Sequence, residues 1–189
     1  MKQKIVVAVG GNGGSHYART LLDRLAARSA DWQAVGVVLT DDARRSWETE
    51  QGAPFRAEDY PELTIYGKKN FLAPFASGSA MYHTMIVCPC PLGVLGRIAT
   101  GVSDDLITRA ADVVLKERRR LLLVPHETPY SLIHLRNMVD LTEAGAIVCP
   151  AAPEVTTTEQ TASELVNGLI DHVLSLAGLP TPSHGWGAK

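Results

Sequence analysis

Excess charge, long apolar runs and cysteine are all scarce in this chain, and each scarcity removes a class of function. The 18 basic and 20 acidic residues nearly cancel, so nothing global points to a nucleic-acid partner. No apolar run approaches the length of a membrane span, and Met1-Lys2-Gln3-Lys4 leads straight into strand-like residues rather than a signal peptide. The expected location is therefore the cytoplasm. The three cysteines, Cys88, Cys90 and Cys149, are too few for a disulfide framework. Cys88-Pro89-Cys90 lacks the spacing of a redox pair, and no histidine cluster completes a zinc set. All three lie at or near the ends of apolar runs, where free cysteine is usually buried. Internal repeats and low-complexity linkers are also missing. A length of 189 residues suits one well-packed domain and is too short for two large ones.

The remaining pattern is a regular alternation. Ile5 to Val9 reads as a buried strand, broken by Gly10-Gly11-Asn12-Gly13-Gly14. Ser15 to Arg28 follows as a helix, with Ala18, Leu21, Leu22 and Leu25 spaced for one buried face. Val35 to Leu39 is a second strand ending in Thr40, and Asp41-Asp42 opens a second helix. Residues 51–69 carry proline, glycine and scattered aromatics without periodicity and read as a long excursion. Thr84 to Cys88, Leu121 to Val124 and Ala146 to Cys149 are further strands, and Leu92 to Ala99 is a short helix. Another helix starts near Ser131, with Gly145 as its stop signal. Thr161-Ala162-Ser163-Glu164 has capping-box spacing and begins a final amphipathic helix through Val166, Leu169, Ile170, Val173 and Leu174. Strands alternating with helices predict a doubly wound parallel α/β sheet in a single domain, residues 1–178, with a short tail over 179–189.

The chemistry concentrates in residues 108–135, TRAADVVLKERRRLLLVPHETPYSLIHL. Leu121 to Val124 is the kind of short apolar run that makes a fully buried parallel strand. Pro125-His126-Glu127-Thr128-Pro129 stops it. Ligands in open α/β sheets bind outside the carboxyl ends of the strands, so Glu127 stands where a chemically useful carboxylate would stand. The basic cluster from Lys116 to Arg120 reads either as an anion site or as a solvated helix end suited to the helix dipole. The glycine turn is placed to let backbone N–H groups approach a phosphate at a helix N-terminus, although a tight turn needs glycine for steric reasons alone. No acid for an adenine ribose follows the second strand. Thr40 stands there instead, a hydroxyl better suited to flavin mononucleotide (FMN). His16 reads as an exposed residue in the first helical turn.

The LKERR run, the V-P-x-E-T-P turn and the following SLIHL resemble the UbiX family of flavin prenyltransferases. So do the opening strand and glycine turn, the ASGS of Ala76 to Ser79, the Pro89-Cys90 strand end and the GAIVCP of Gly145 to Pro150. The resemblance implies a Rossmann-like flavoprotein fold, FMN as cofactor and a homo-oligomer, dodecameric in the family. It implies transfer of a dimethylallyl group from dimethylallyl phosphate to reduced flavin, without a metal. The flavin contacts it implies are Gly11, Asn12 and Gly13 of the turn, Thr40, Cys90 and Pro91 of the turn after the third strand, and Arg109. Lys116 and Glu127 match the family's donor-binding lysine and catalytic glutamate. His126, Thr156 and His172 stand where the family has an arginine, a tyrosine and a basic residue that hold the donor. Other matches are altered: Gly13 replaces a serine, and Pro91-Leu92-Gly93-Val94 lacks the Ser, Lys and Thr of the family's P-C-S-x-K-T. Two readings follow, a flavin prenyltransferase and an FMN-binding paralogue without prenyl transfer that serves as a redox flavoprotein, a decarboxylase of another acid or a flavin-carrying partner.

Overall fold

The structure is a computed structural model and describes residues 2–152, 155 and 159–180. Six parallel strands form one sheet: β1 (Gln3–Val9), β2 (Trp32–Leu39), β3 (Thr64–Tyr66), β4 (Thr84–Val87), β5 (Arg120–Leu123) and β6 (Ile147–Val148). Their order across the sheet is β3-β2-β1-β4-β5-β6. Six helices connect or follow them: α1 (Ser15–Ala26), α2 (Asp41–Gln51), α3 (Leu92–Ala99), α4 (Leu106–Lys116), α5 (Leu132–Glu143) and α6 (Ala162–Leu176). The expected single-domain, Rossmann-like doubly wound α/β sheet is the architecture found.

The apolar strands are buried on both faces because helices cover both. Along β1, Ile5, Val7 and Val9 pack with Leu21, Leu22 and Leu25 of α1, Trp47 of α2 and Ile170, Val173 and Leu174 of α6. Val6 and Ala8 point the other way, toward Leu95 of α3, Ile107, Ala110 and Val114 of α4 and Leu141 of α5. This is the period-two alternation of a strand inside a two-sided core. Helix starts follow local chemistry. Thr40 Oγ1 accepts from Ala43 N–H at 3.0 Å, and Ser131 and Thr161 close capping boxes on α5 and α6. Gly145 ends α5 at φ 99°, a conformation that costs glycine little.

One strand escapes the sequence reading. Within the stretch expected to be an excursion, Thr64–Tyr66 pairs with Gly36–Val38 at the sheet edge. Three residues are too few to display a period, so only pairing with β2 reveals it. Helix α4 also starts earlier than its cationic end suggests, because Asp105 caps it and accepts from Thr108 N–H at 2.9 Å. No helix among the described residues is long and apolar enough to cross a membrane.

Candidate functional site

The strand order reverses between β1 and β4, and the turns leaving their carboxyl ends splay apart there. Such a switch point is where doubly wound sheets bind ligands. The turn after β1 and the turn after β4 meet across it, with Gly10 N–H donating to Pro89 O at 3.2 Å. A Cβ on Gly10 would lie 2.6 Å from Pro91 Cδ, and one on Gly11 2.8 Å from Pro91 Cγ. The glycines at these two positions are thus required by contact with the Pro91 ring as much as by any ligand. Gly11, Gly13 and Gly14 take φ of 84°, 101° and 77°. Asn12 is exposed at the apex.

The turn after β5 reaches the same place. Glu127 Oε1 accepts from the Leu92 N–H at the start of α3, at 3.0 Å. His126 leans on the glycine turn: its Nε2 lies 3.6 Å and 3.4 Å from where a Cβ would stand on Gly13 and Gly14. His126 Nδ1 is enclosed without a hydrogen-bond partner among the described residues. The chain therefore brings Gly13, His126 and Glu127 together.

A residue absent from the sequence reading completes this corner. Glu50, in the last turn of α2, accepts at Oε2 from both Ser15 N–H (2.9 Å) and Ser15 Oγ (2.7 Å). Its Oε1 is 3.6 Å from the Cβ position of Gly13. No local motif marks Glu50. It is one acid among several on an amphipathic helix, and only the packing of α2 on α1 carries it over the turn. His16 is exposed, as expected, and Gln51 Nε2 contacts its Nδ1 at 3.1 Å.

From the glycine turn an open groove of about 450 Å³ runs toward the α2 side, lined by Gly11, Thr40, Pro91, Gly93, Lys68 and Arg97 among others. Its volume lies within the ~300–1,000 Å³ range of small-molecule sites. Thr40, Gly11 and Pro91 thus share one cavity, as a flavin site would require. The Gly11 backbone, the Thr40 hydroxyl and the Lys68 ammonium all lie on this groove, groups that suit the phosphate and hydroxylated chain of a flavin mononucleotide.

Other candidate residues lie elsewhere within a single chain. Cys90 is fully buried; burial first, then Cys88 and Glu127, push its thiol well above the usual range. It meets the site through its backbone, donating N–H to Val124 O at 2.8 Å. Arg109 donates to Ala76 O (3.0 Å) and Asp112 Oδ2 (3.1 Å) and is absent from the groove lining. Lys116 ends α4 near the amino-terminal end of β5, away from the strand ends that carry the glycine turn and Glu127, and pairs with Glu117 at 2.8 Å. His172 is exposed on the distal half of α6. Thr156 lies outside the described residues. The rest of the basic cluster is not one open anion site: Arg119 donates to Tyr82 O at 3.2 Å and Gly78 O at 2.8 Å, bracing the loop before β4.

Comparison with known proteins agrees with this geometry. The Flavoprotein family model matches residues 1–177. The flavin prenyltransferase UbiX of Pseudomonas aeruginosa is 35% identical over 192 residues, covering 94% of this chain and 90% of the relative. A dodecameric FMN-dependent UbiX-like decarboxylase from Escherichia coli O157:H7 superposes with a TM-score of 0.88 at 33% identity, over 99% of this chain and 100% of that one. A UbiX structure described in complex with FMN and dimethylallyl pyrophosphate gives a TM-score of 0.84 at 33% identity, over 98% of this chain and 100% of the other. The fold and site define a flavoprotein, and within that class the chain belongs to the UbiX family of flavin prenyltransferases.

Proposed function

We propose that this protein binds FMN and transfers a dimethylallyl group from dimethylallyl phosphate to the reduced cofactor. The observation that carries the reading is the meeting of the turns after β1, β4 and β5, where His126 packs on Gly13 and Glu127 accepts from Leu92 N–H, beside a groove lined by Gly11, Thr40 and Pro91. Support comes from the relatives whose names specify flavin prenyl transfer and from the neighbour described with FMN and dimethylallyl pyrophosphate.

When bound, reduced flavin supplies the nucleophilic ring that accepts the prenyl carbon. The chain's residues supply positioning and proton control. Glu127, anchored by the Leu92 N–H at the start of α3, serves as the acid that assists departure of the phosphate. His126 presents Nε2 to the glycine turn as a donor to the same phosphate. Glu50 fixes Ser15 and the turn, so the pocket is preorganised rather than assembled on binding. Lys116, exposed and at the opposite end of β5 from Glu127, and the exposed His172 act on the donor of a neighbouring copy within a homo-oligomer. The exposed apolar face of α5, with Leu132, Ile133, Leu135 and Val139, provides a surface for such assembly.

The deciding experiment is anaerobic incubation of the FMN-loaded, reduced protein with dimethylallyl phosphate, followed by mass and absorbance of the released flavin. A flavin heavier by one prenyl unit is the expected product. The Pro91 ring packed on Gly10 and Gly11 favours a second reading, an FMN-binding paralogue with a reshaped pocket. Tight FMN binding with unmodified flavin under every condition would transfer the assignment to it.

A further inference from the structure

Resting on the transfer reading above, we infer that Gln51 is a positioning residue for the reaction. Through Ser15 it sets which oxygen of Glu50 is left free at the glycine turn, on the corner that His126 also occupies. Gln51 is the last residue of α2, and its side-chain amide meets three residues of α1. Arg19 Nη1 donates to Gln51 Oε1 at 2.9 Å. Gln51 Nε2 donates to Ser15 Oγ at 2.8 Å, and the same nitrogen lies 3.1 Å from His16 Nδ1.

The chemistry of these groups gives the chain a direction. A guanidinium can only donate, so the amide oxygen must face Arg19 and the amide nitrogen must face Ser15. The Ser15 hydroxyl then receives a proton from Gln51 and has one of its own to give. That proton goes to Glu50 Oε2 at 2.7 Å, where the Ser15 N–H also arrives at 2.9 Å. Ser15 is buried, so water does not compete for its hydroxyl. Glu50 Oε2 is thus held by two hydrogen bonds, while Oε1 carries none among the described residues.

Glu50 Oε1 and His126 Nε2 each lie 3.6 Å from the Cβ position of Gly13. They flank one point of the turn where glycine presents no side chain. The free carboxylate oxygen therefore shares a corner with the imidazole assigned above to the donor phosphate. An acceptor fixed there limits the directions in which the imidazole N–H can point, as a carboxylate does for a histidine in other sites. If the Ser15 hydroxyl turned away, Glu50 would lose a bond and its two oxygens could exchange places by rotation. Gln51 prevents that turn.

Gln51→Glu separates positioning from packing. The new carboxylate has the same size and still accepts from Arg19, but it cannot donate to Ser15. The Ser15 hydroxyl then turns to it and leaves Glu50 with the N–H alone. The KM for dimethylallyl phosphate should rise about 10-fold, as for one lost charge-assisted hydrogen bond. FMN affinity should stay within about twofold, and the melting temperature within about 2 °C of wild type. In the full-length apoprotein, hydrogen exchange at the Ser15 N–H should be about 10-fold faster. Ser15→Ala should reproduce the KM effect, and adding Gln51→Glu to it should change KM by less than about twofold, because the route through the hydroxyl is already cut. A wild-type KM or wild-type exchange in Gln51→Glu, an equal loss of FMN affinity, or additive losses in the double variant would overturn the inference. Absence of transfer by the wild-type protein would instead overturn the transfer reading, and Ser15 exchange in the apoprotein then decides the relay alone.

Discussion

Glu127 and Leu92 are joined by a 3.0 Å hydrogen bond from the Leu92 N–H to the Glu127 carboxylate, which ties the turn after β5 to the first turn of α3. The bond holds the carboxylate at the strand-end cleft and satisfies an orphan N–H at a helix start. Glu127→Gln keeps an acceptor for Leu92 but removes the titrating proton. Turnover should fall by ~10²–10⁴-fold with FMN affinity unchanged, the range of a lost general acid. Single-turnover kinetics with parallel FMN titration check this; a loss confined to FMN binding would remove Glu127 from the chemistry.

Glu50 should prove structural as well as local to the site. Its carboxylate is the partner of both Ser15 donors at the start of α1. Glu50→Ala should cost about 1 kcal/mol, the typical worth of a helix N-terminal partner, or ~2–4 °C in Tm for a domain of this size. Glu50→Gln, which can still accept from Ser15, should recover most of that loss in a thermal melt.

Lys116 and Glu127 cannot meet inside one chain. Lys116 precedes β5 and Glu127 follows it, and the strand alone spans about 13 Å. If Lys116 serves a neighbouring copy, Lys116→Ala and Glu127→Gln are each inactive alone but complement each other after mixed reassembly. Random assortment gives about a quarter of sites with both wild-type residues. Light scattering should find an oligomer well above the 20.3 kDa chain mass. An active monomer, or mixed assemblies without activity, would contradict shared sites.

The acid limb of stability should involve Asp105. Burial alone would raise its carboxyl, but the Thr108 N–H and the Arg97 guanidinium outweigh burial and hold it below the usual carboxylate range. A group depressed in the folded state stabilises above its unfolded value of about 3.9, and that contribution disappears as pH falls through the folded value. Asp105→Asn still caps α4 but cannot titrate. Its urea-unfolding midpoint should be lower than wild type at neutral pH and decline less below about pH 4. Parallel curves would exclude this linkage.

Much of the fold was legible because its determinants are local. The apolar run of β1, the Leu21, Leu22 and Leu25 face of α1, and the Ser131 and Thr161 caps each lie within a few consecutive residues. Glu127 could be placed at a ligand-binding edge from the strand that precedes it. The three-residue β3 was not legible, since it has no period of its own and exists through pairing with Gly36 to Val38.

By itself, then, the sequence determined the alternation of elements, the helix boundaries set by caps, the glycine turn and the carboxylate at the end of β5. These depend on backbone preference and on apolar spacing over a single turn or strand. The tertiary structure decided the occupant of the α1 N-terminus, Glu50, which lies 35 residues from Ser15. It also decided that Lys68 and Lys69 share a groove with Arg97, and that Lys116 stands apart from Glu127. Those relationships follow from strand order and helix packing, which bring distant segments together through the summed burial of the whole core rather than through any signal carried by the residues that meet.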